Sequence, residues 1–319
     1  MVNYLFRRFL YIIPTIWGIA TLIFFLMFAI PGDPVRLMLG HHGDEEIRQR
    51  ITREMGLDQP MLVQYGMFLG RLLHGDLGNS YHQDRPVIDI LLERLPATML
   101  LAAAAMILSI IFGLAAGIVS AIRQNKLTDI FVMAGSLIGI STPVFWLGLL
   151  LILVFAAKTF YGTPVVFGIL PVSGYGEWGM DRIKHLVLPA LSLSAIGMGY
   201  IARMTRSSVL EVIRQDYVRT AKSKGLSYRV VVLKHVLRNA LIPVVTVIGI
   251  DFAALLGGAV ATETVFAWPG LGKIIVDSIR QLDGPVVEGG VMFMALMFVI
   301  VNTLVDITYV LIDPRIRLD

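Results

Sequence analysis

The sequence of 319 residues contains no cysteine. Disulfide bonds, thiolate metal sites and cysteine nucleophiles are therefore excluded, although the redox compartment stays open. Charge is also scarce, because Asp, Glu, Lys and Arg make up 16% of the chain, whereas an average soluble domain is about 25% charged. With 56% hydrophobic residues, the composition is typical of a membrane protein.

Motifs for nucleotide chemistry are missing as well. A Walker A loop needs Gly-x-x-x-x-Gly-Lys-Ser/Thr, and the nearest candidate, Gly272-Lys273, is followed by Ile274 and has Ala267 in place of the first Gly. If ATP is used, another chain must hydrolyse it. No Ser-His-Asp set, carboxylate pair or metalloprotease helix motif stands out either, so the sequence predicts no catalytic residues and no metal or cofactor bound by this chain.

Much of the sequence consists of apolar windows that are long enough to cross a membrane. A helix needs roughly 20 residues to cross about 30 Å of hydrocarbon. Six such windows occupy residues 9–30, 96–122, 130–157, 186–202, 240–262 and 289–312. The fifth contains Asp251 and the sixth contains Asp306. The predicted fold class is therefore all-α, a polytopic membrane protein with about six transmembrane helices.

Charges outside the windows predict the orientation. With the N-terminus inside, the inner segments carry 15 basic and 5 acidic residues, and the outer segments carry 12 basic and 16 acidic residues. Seven of the outer basic residues lie in the long segment 31–95, which has little weight in the positive-inside rule. Both termini are predicted to be cytoplasmic, and the net charge of +4 follows from topology rather than from nucleic-acid binding.

The chain is predicted to have three parts. Residues 1–30 form an N-terminal tail with the first span, residues 31–95 form a small cap outside the membrane, and residues 96–319 form the transmembrane core. The cap contains a predicted amphipathic helix that ends near Gly56 and a turn-rich "HGDLGNS". The core includes a cytoplasmic loop at 203–239.

This loop contains the basic stretch "DYVRTAKSKGLSYRVVVLKHVLRNALIP", residues 216–243. Ser208 and Glu211 have the spacing of a capping box and predict a helix start. The apolar residues of that helix would share one side: Val209, Val212, Ile213 and Tyr217. Gly225 is predicted to end it, and Ser227 to cap a second helix. The result would be a rigid elbow; the alternative is an amphipathic helix resting on anionic headgroups.

Small and polar residues within the spans suggest packing and gating positions. Small residues recur every four positions in the second span, which favours close helix packing: Ser109, Gly113, Gly117 and Ala121. Ser141, the helix-kinking Pro143 and Trp268 are candidate gate residues, although Trp268 could equally belong to an interfacial belt. Asp251 could line a polar pathway or bond to a neighbouring helix.

Several motifs together resemble the permeases of ATP-binding-cassette (ABC) importers, specifically the dipeptide, oligopeptide and nickel class. The pattern Asp-Tyr-x-Arg-Thr-Ala-x-x-Lys-Gly at 216–225 resembles the cytoplasmic coupling loop of that class. The resemblance extends over the whole chain through "IPGDP" (30–34), "GLDQP" (56–60), "HGDLGNS" (74–80), "TRSSVLEV" (205–212), "ETVFAWPGLG" (263–272) and "DPRIR" (313–317). Arg219 departs from the glutamate of the general permease loop, which puts in doubt any salt bridge inferred from that glutamate.

The resemblance implies a bacterial inner-membrane complex. The chain would be one of two homologous permease subunits, with two cytoplasmic ATPase subunits that bind ATP and Mg²⁺ and an extracytoplasmic substrate-binding protein. The residues implied to contact the ATPases are Asp216, Tyr217, Arg219, Thr220, Ala221, Lys224, Gly225 and Leu226. Short peptides are the expected substrate, with a nickel chelate or glutathione as alternatives. A proton-coupled secondary carrier that uses Asp251 is the competing class.

Overall fold

The computed structural model describes residues 2–29, 49, 52–53, 56–156, 159–160, 163–164 and 169–312. Some sequence expectations therefore lie outside the described residues. These are the motifs at 30–34 and 313–317, most of the amphipathic helix predicted in the cap, and the side chain of Asp306.

The described residues are mainly helical. In chain order the α-helices are α1 (Val2–Ala29), α2 (Met61–Leu73), α3 (Val87–Ile122), α4 (Leu127–Ser141), α5 (Val144–Leu151), α6 (Met180–Val212), α7 (Asp216–Ser223), α8 (Tyr228–Val230), α9 (Leu237–Val265), α10 (Leu271–Gln281) and α11 (Gly284–Ile312). Two π-helical turns, Ile152–Ala156 and Val231–Val236, follow α5 and α8. Strands β1 (Thr159–Phe160) and β2 (Thr163–Pro164) form a short antiparallel pair.

Long apolar helices coincide with the six predicted windows. Within the part of the chain that the structure describes, four helical stretches are long and apolar enough to cross a membrane: Val87–Ile122, Met180–Val212, Tyr228–Phe252 and Gly284–Val305. The bent pair formed by α4 and α5 can make a fifth span, and α1 contributes a shorter apolar stretch, Ile12–Phe28. The all-α polytopic fold class is confirmed. The second window was predicted to start at Pro96, but Pro96 lies inside α3, which begins nine residues earlier.

The third span is broken rather than kinked. Helices α4 and α5 meet at 110°, and Thr142 between them is extended, with φ −86° and ψ 127°. Pro143 explains the break, because its ring disfavours a helical conformation at the preceding residue and it has no N–H to donate. The Thr142 hydroxyl donates to the Ile138 carbonyl at 2.7 Å and satisfies one of the carbonyls at the end of α4.

The chain divides into two compact units, each with its own core. Unit 1 comprises residues 1–97 and 270–300, and unit 2 comprises residues 98–269 and 301–319. The described residues of unit 1 include two apolar clusters, one formed by Ala20, Ile23, Phe24, Phe68 and Met292 and the other by Val87, Ile90, Leu91, Leu271, Val286 and Phe293. Helices α2 and α10, which lie in segments predicted only as cap and loop, contribute to these clusters.

A polar cluster also stabilises unit 1. The Ser80 hydroxyl donates to Asp283 Oδ2 at 2.5 Å, and the Tyr81 backbone N–H donates to Asp283 Oδ1 at 3.1 Å. Asp283 is buried, with 1% of its surface exposed. Burial, together with the nearby Glu288 and Asp283 carboxylates, raises the pKa of Tyr81 to about 12. The buried acceptor Asp283 thereby ties the segment before α3 to the turn that follows α10.

Close helix approach organises unit 2. A Cβ atom at Gly113 would lie 2.8 Å from Ile201 Cβ, and one at Gly117 would lie 2.5 Å from the Ala202 carbonyl oxygen. The Ser109 hydroxyl donates to the Ser194 carbonyl at 3.0 Å. The predicted small-residue ridge of the second span is therefore the contact surface between α3 and α6.

Candidate coupling site

The basic loop forms a separate short helix, but not where the capping box predicted. Ser208 is buried inside α6, which continues to Val212, and the chain leaves the helix over residues 213–215. Helix α7 then begins at Asp216, with Gln215 at its N-cap position. The capping-box prediction was wrong because Ser-x-x-Glu marks a start only where no helix precedes it, and here the preceding transmembrane helix runs through both residues.

Helix α7 is attached to the membrane helices by an apolar cluster, which we name the coupling core. Its buried residues are Ala121 of α3, Val209 of α6, Val218 and Ala221 of α7, Val231 and Val236 of the following π-helical turn, and Ala240 of α9. Val212 and Ile213 pack against it as partly buried neighbours. A displacement of α7 would therefore act directly on α6 and on the start of α9, because close-packed side chains transmit strain.

Tyr217 has a different position from the one predicted. The break at 213–215 shifts the helical phase, so Val218 and Ala221 face the core while 42% of Tyr217 is exposed. The Tyr217 hydroxyl donates to the His235 carbonyl at 3.3 Å and accepts from Asn239 Nδ2 at 2.8 Å. Tyr217 thus links α7 to the segment that enters α9 by hydrogen bonds rather than by apolar packing.

For the turn after α7, the prediction is correct at Gly225 but not at Ser227. Gly225 has a φ of +75°, in the left-handed region that favours glycine. Ser227 occupies the N-cap position of α8, yet its side chain makes no capping hydrogen bond. Helix α8 has only three residues and continues through Val231–Val236 into α9. The second helix of the elbow is consequently the beginning of the fifth span rather than a separate short helix.

The outer surface of α7 and its turn is available to a partner. All residues from 222 to 230 are exposed, including Lys222, Lys224 and Leu226. Asp216 and Arg219 form an ion pair at 3.6 Å with side chains that are 96% and 75% exposed, so the pair adds little to stability. Thr220, also exposed, donates its hydroxyl to the Asp216 carbonyl. Of the eight predicted contact residues, Ala221 alone is buried.

The gate candidates have separate surroundings in unit 2. Ser141 and Pro143 stand at the break between α4 and α5 and are exposed. Trp268 has no exposed surface and packs edge-on against Tyr175, with ring centroids 4.8 Å apart. Its burial argues against a lipid-facing belt. The backbone N–H of Trp268 donates to the Glu263 carbonyl at 2.8 Å, so Trp268 is part of a closed turn.

Asp251 lies in the middle of α9 and faces α6. Its Oδ2 atom is buried and has no hydrogen-bond partner among the described residues. A Cβ atom at Gly197 would overlap this carboxylate, and it would lie 2.9 Å from Ser109 Oγ. Among the described residues, Oδ2 of Asp251 therefore occupies a slot between α6 and α9, and whether Asp251 lines a polar pathway or bonds a neighbouring helix stays a prediction.

A polar cluster near the coupling core was not predicted from the sequence. Asp129, which is 3% exposed, accepts from Arg206 Nε at 2.7 Å and from Arg206 Nη2 at 2.8 Å. It also accepts from the Ser120 hydroxyl and, at 2.9 Å, from the Asn125 backbone N–H. Asp129 lies one residue before the third apolar window and Arg206 four residues after the fourth, so both were counted as ordinary cytoplasmic charges.

Comparison with known proteins identifies the family. The model of the binding-protein-dependent transport system inner membrane component matches residues 109–318, and the model of its N-terminal part matches residues 1–102. The chain belongs to this family. It is thus a multi-pass inner-membrane component of a binding-protein-dependent transport system, consistent with its apolar helices.

Relatives match along the entire chain. The di/tripeptide transport system permease protein DppB of Pseudomonas aeruginosa is 44% identical, and the alignment covers 99% of both chains. The glutathione transport system permease protein GsiC of Escherichia coli K12 is 41% identical, again over 99% of both chains. The dipeptide transport system permease protein DppB of Alkalihalophilus pseudofirmus is 41% identical over 99% of this chain and 100% of its own.

Solved structures support the fold independently. A structure of the MetNI methionine ABC transporter in inward-facing conformations aligns with a TM-score of 0.53 at 17% identity, covering 71% of this chain and 97% of that chain. An amino acid ABC transporter aligns with a TM-score of 0.50 at 13% identity, covering 70% and 94%. The ABC-transporter membrane fold is therefore shared.

Proposed function

We propose that this chain forms half of the translocation pathway of an ATP-driven importer of short peptides. The observation that carries the proposal is the coupling core, which joins an exposed helix to two membrane helices through Val209, Val218 and Ala240. A helix arranged in this way can receive a push from a soluble partner and pass it to α6 and α9. The peptide substrate is supported by the relatives that are named as di/tripeptide and dipeptide permeases.

The proposed complex contains a second homologous permease subunit, two ATPase subunits and an extracytoplasmic binding protein. The ATPases bind ATP and Mg²⁺ and contact α7 with its turn, from Asp216 to Leu226. Both termini of this chain face the cytoplasm, as the bias of basic residues indicates. This orientation brings α7 to the side of the membrane where ATP is available.

The proposed mechanism is alternating access. ATP binding closes the ATPase pair, and residues 216–238 move together as a lever that rotates α6 and α9 and opens the pathway toward the docked binding protein. The ATPases supply the free-energy difference between the two states, because a ligand shifts an equilibrium only through its differential affinity. This chain supplies the pathway and the force transfer.

A substitution at Gly225 tests the lever. Gly225→Val is expected to abolish coupling between ATP hydrolysis and uptake, since a left-handed conformation costs an L-residue about 1–2 kcal/mol and a β-branched residue more. Open space surrounds the site, because a Cβ atom there would meet nothing within 4 Å. The effect would thus come from the backbone rather than from a clash.

The matched control is Gly225→Asn, because asparagine tolerates the left-handed region. Uptake and ATP hydrolysis would be measured on the complete complex in proteoliposomes with its binding protein. Gly225→Asn should keep most of the uptake per ATP that Gly225→Val loses. Equal uptake per ATP in Gly225→Val and the unaltered complex would remove the lever from the mechanism.

The competing functions make different predictions. A proton-coupled carrier would accumulate substrate from a proton gradient without ATPase partners, whereas this chain alone is expected to show no driven uptake. Within the ABC class, glutathione is supported by the GsiC relative, and a nickel chelate is the remaining alternative. Calorimetric screening of the complex's binding protein with dipeptides, glutathione and nickel chelates would decide among them, and tight binding of a nickel chelate alone would refute the peptide proposal.

A further inference from the structure

The Asp129 cluster joins three membrane helices at one end. Ser120 is close to the last residue of α3, Asp129 is in the first turn of α4, and Arg206 is in the last two turns of α6. The partners Asp129 and Arg206 are 77 residues apart in sequence. The cluster therefore connects segments that the chain itself does not hold together.

The two-point contact between Arg206 and Asp129 fixes both the distance and the relative orientation of the two side chains. Arg206 presents two donors to the two oxygens of Asp129 at 2.7 and 2.8 Å. Bidentate contacts of this kind define the orientation of both groups, unlike a single point contact. Ser120 and the Asn125 N–H occupy further acceptor positions of the same carboxylate, so the aspartate is held from three directions.

The Asp129–Arg206 pair connects α6 to α4, a helix that contributes no buried residue to the coupling core. The buried residues of the coupling core come from α3, α6, α7, α9 and the π-helical turn between α8 and α9, and none comes from α4. Farther along, α4 and α6 approach closely where Gly199 meets Ser136 and Ile140. That apolar contact gives close packing, and the ion pair adds a directional bond that resists sliding of α4 along α6.

We propose that Asp129 and Arg206 are positioning residues that make α4 move together with α6 when the coupling helix α7 is displaced. Neither residue needs to contact ATP, substrate or the ATPases. Motion that enters α6 near Val209 is passed to α4 through the pair and reaches the break at Thr142. This inference rests on the proposed function, because it assumes that α7 is displaced by the ATPases.

The most direct test is a distance measurement in the complete complex. The chain has no cysteine of its own, so spin labels can be attached to Leu127→Cys on α4 and Glu211→Cys on α6, which are both exposed. The expected distance between the two labels is the same in the nucleotide-free and the ATP-trapped complex. A distance that changes between these states in otherwise unaltered protein would overturn the proposal.

Arg206→Lys tests the pair itself, because it keeps the charge and loses the two-point contact. Uptake per ATP is expected to fall about fivefold or more, and the distance between the labels is expected to become state-dependent. Arg203→Lys is the matched control, since Arg203 lies on the same helix with its guanidinium over the Tyr200 ring. This control should retain normal uptake per ATP.

The outcomes separate this inference from the proposed function. If the unaltered complex shows no ATP-driven uptake, the proposed function fails. If it transports normally and Arg206→Lys transports with the same uptake per ATP, only the positioning role fails, and the pair is merely structural. If Arg206→Lys does not assemble, the distance measured in the otherwise unaltered complex decides alone.

Discussion

Two aspartates of unit 2, the buried Asp129 and the partly buried Asp251, have opposite surroundings. Asp129, near one end of the helices, accepts hydrogen bonds from two Arg206 nitrogens, the Ser120 hydroxyl and the Asn125 N–H. Asp251, in the middle of α9, has a buried Oδ2 atom with no partner among the described residues. In the sequence, Asp251 stands inside an apolar window, whereas Asp129 stands one residue before one.

The difference shows that the partners of a buried acid decide its role. A carboxylate with several donors is stabilised as an anion and binds its neighbours into one body. A carboxylate oxygen that is buried without a donor gains no such stabilisation, and Oδ2 of Asp251 instead fills the slot opened by Gly197. This contrast supports the proposal that the Asp129 region takes part in force transfer, whereas Asp251 fills a slot opened by Gly197.

The largest expected effect comes from Asp129→Ala. Removing one member of a buried ion pair typically costs about 3–5 kcal/mol, and because the Arg206 side chain keeps 25% exposure, we expect a loss at the lower end of that range. The variant should lower the thermal stability and the yield of the purified complex. Thermal unfolding monitored by size-exclusion chromatography in detergent would measure this loss.

The companion substitution for this comparison is Asp251→Ala. Because its Oδ2 atom lacks a partner, removal of this carboxylate should cost far less than removal of the Asp129 carboxylate. Equal losses of thermal stability in the two variants would contradict the distinction between the two aspartates.

An intermediate effect is expected for Gly197→Ala. The new Cβ atom would overlap the Asp251 carboxylate, and overpacking typically costs about 1–3 kcal/mol. In the Asp251→Ala background the clash is relieved, so Gly197→Ala should be much milder there. This double-mutant cycle isolates the contact between the two residues. Equal costs in both backgrounds would show that Asp251 does not occupy the slot.

The smallest effect is expected for Asp251→Asn, which keeps the shape and removes the titratable proton. ATP-driven uptake should change by less than about twofold, measured with the complete complex in proteoliposomes. Complete loss of uptake with normal assembly would instead favour the proton-coupled class, in which Asp251 would carry the proton.

Much of the fold could be predicted from sequence because long apolar windows have only one way to satisfy their backbone in lipid. The six windows, the small-residue ridge around Gly113 and Gly117, and the turn at Gly225 all follow from such local rules. The resemblance to the permease family was confirmed, and the coupling role of the loop stays a prediction.

The rest depends on contacts between distant segments. The pairing of Asp129 with Arg206 joins residues that are 77 positions apart, and no local pattern specifies it. The capping box at Ser208 and Glu211 failed because a transmembrane helix overrode the start signal. Tyr217 was placed on the wrong side because a three-residue break changed the helical phase.

The central claim is that the exposed surface of α7 receives the motion of the ATPases. Because the natural chain has no cysteine, a single Lys222→Cys can be crosslinked to an ATPase subunit with a short bifunctional thiol reagent in native membranes. Trp178→Cys, at a residue with 87% exposure in the predicted outer loop, is the matched control. The account predicts an ATP-sensitive crosslink from position 222 and none from position 178. A crosslink from position 178, or none from position 222 in an assembled and transporting complex, would contradict it.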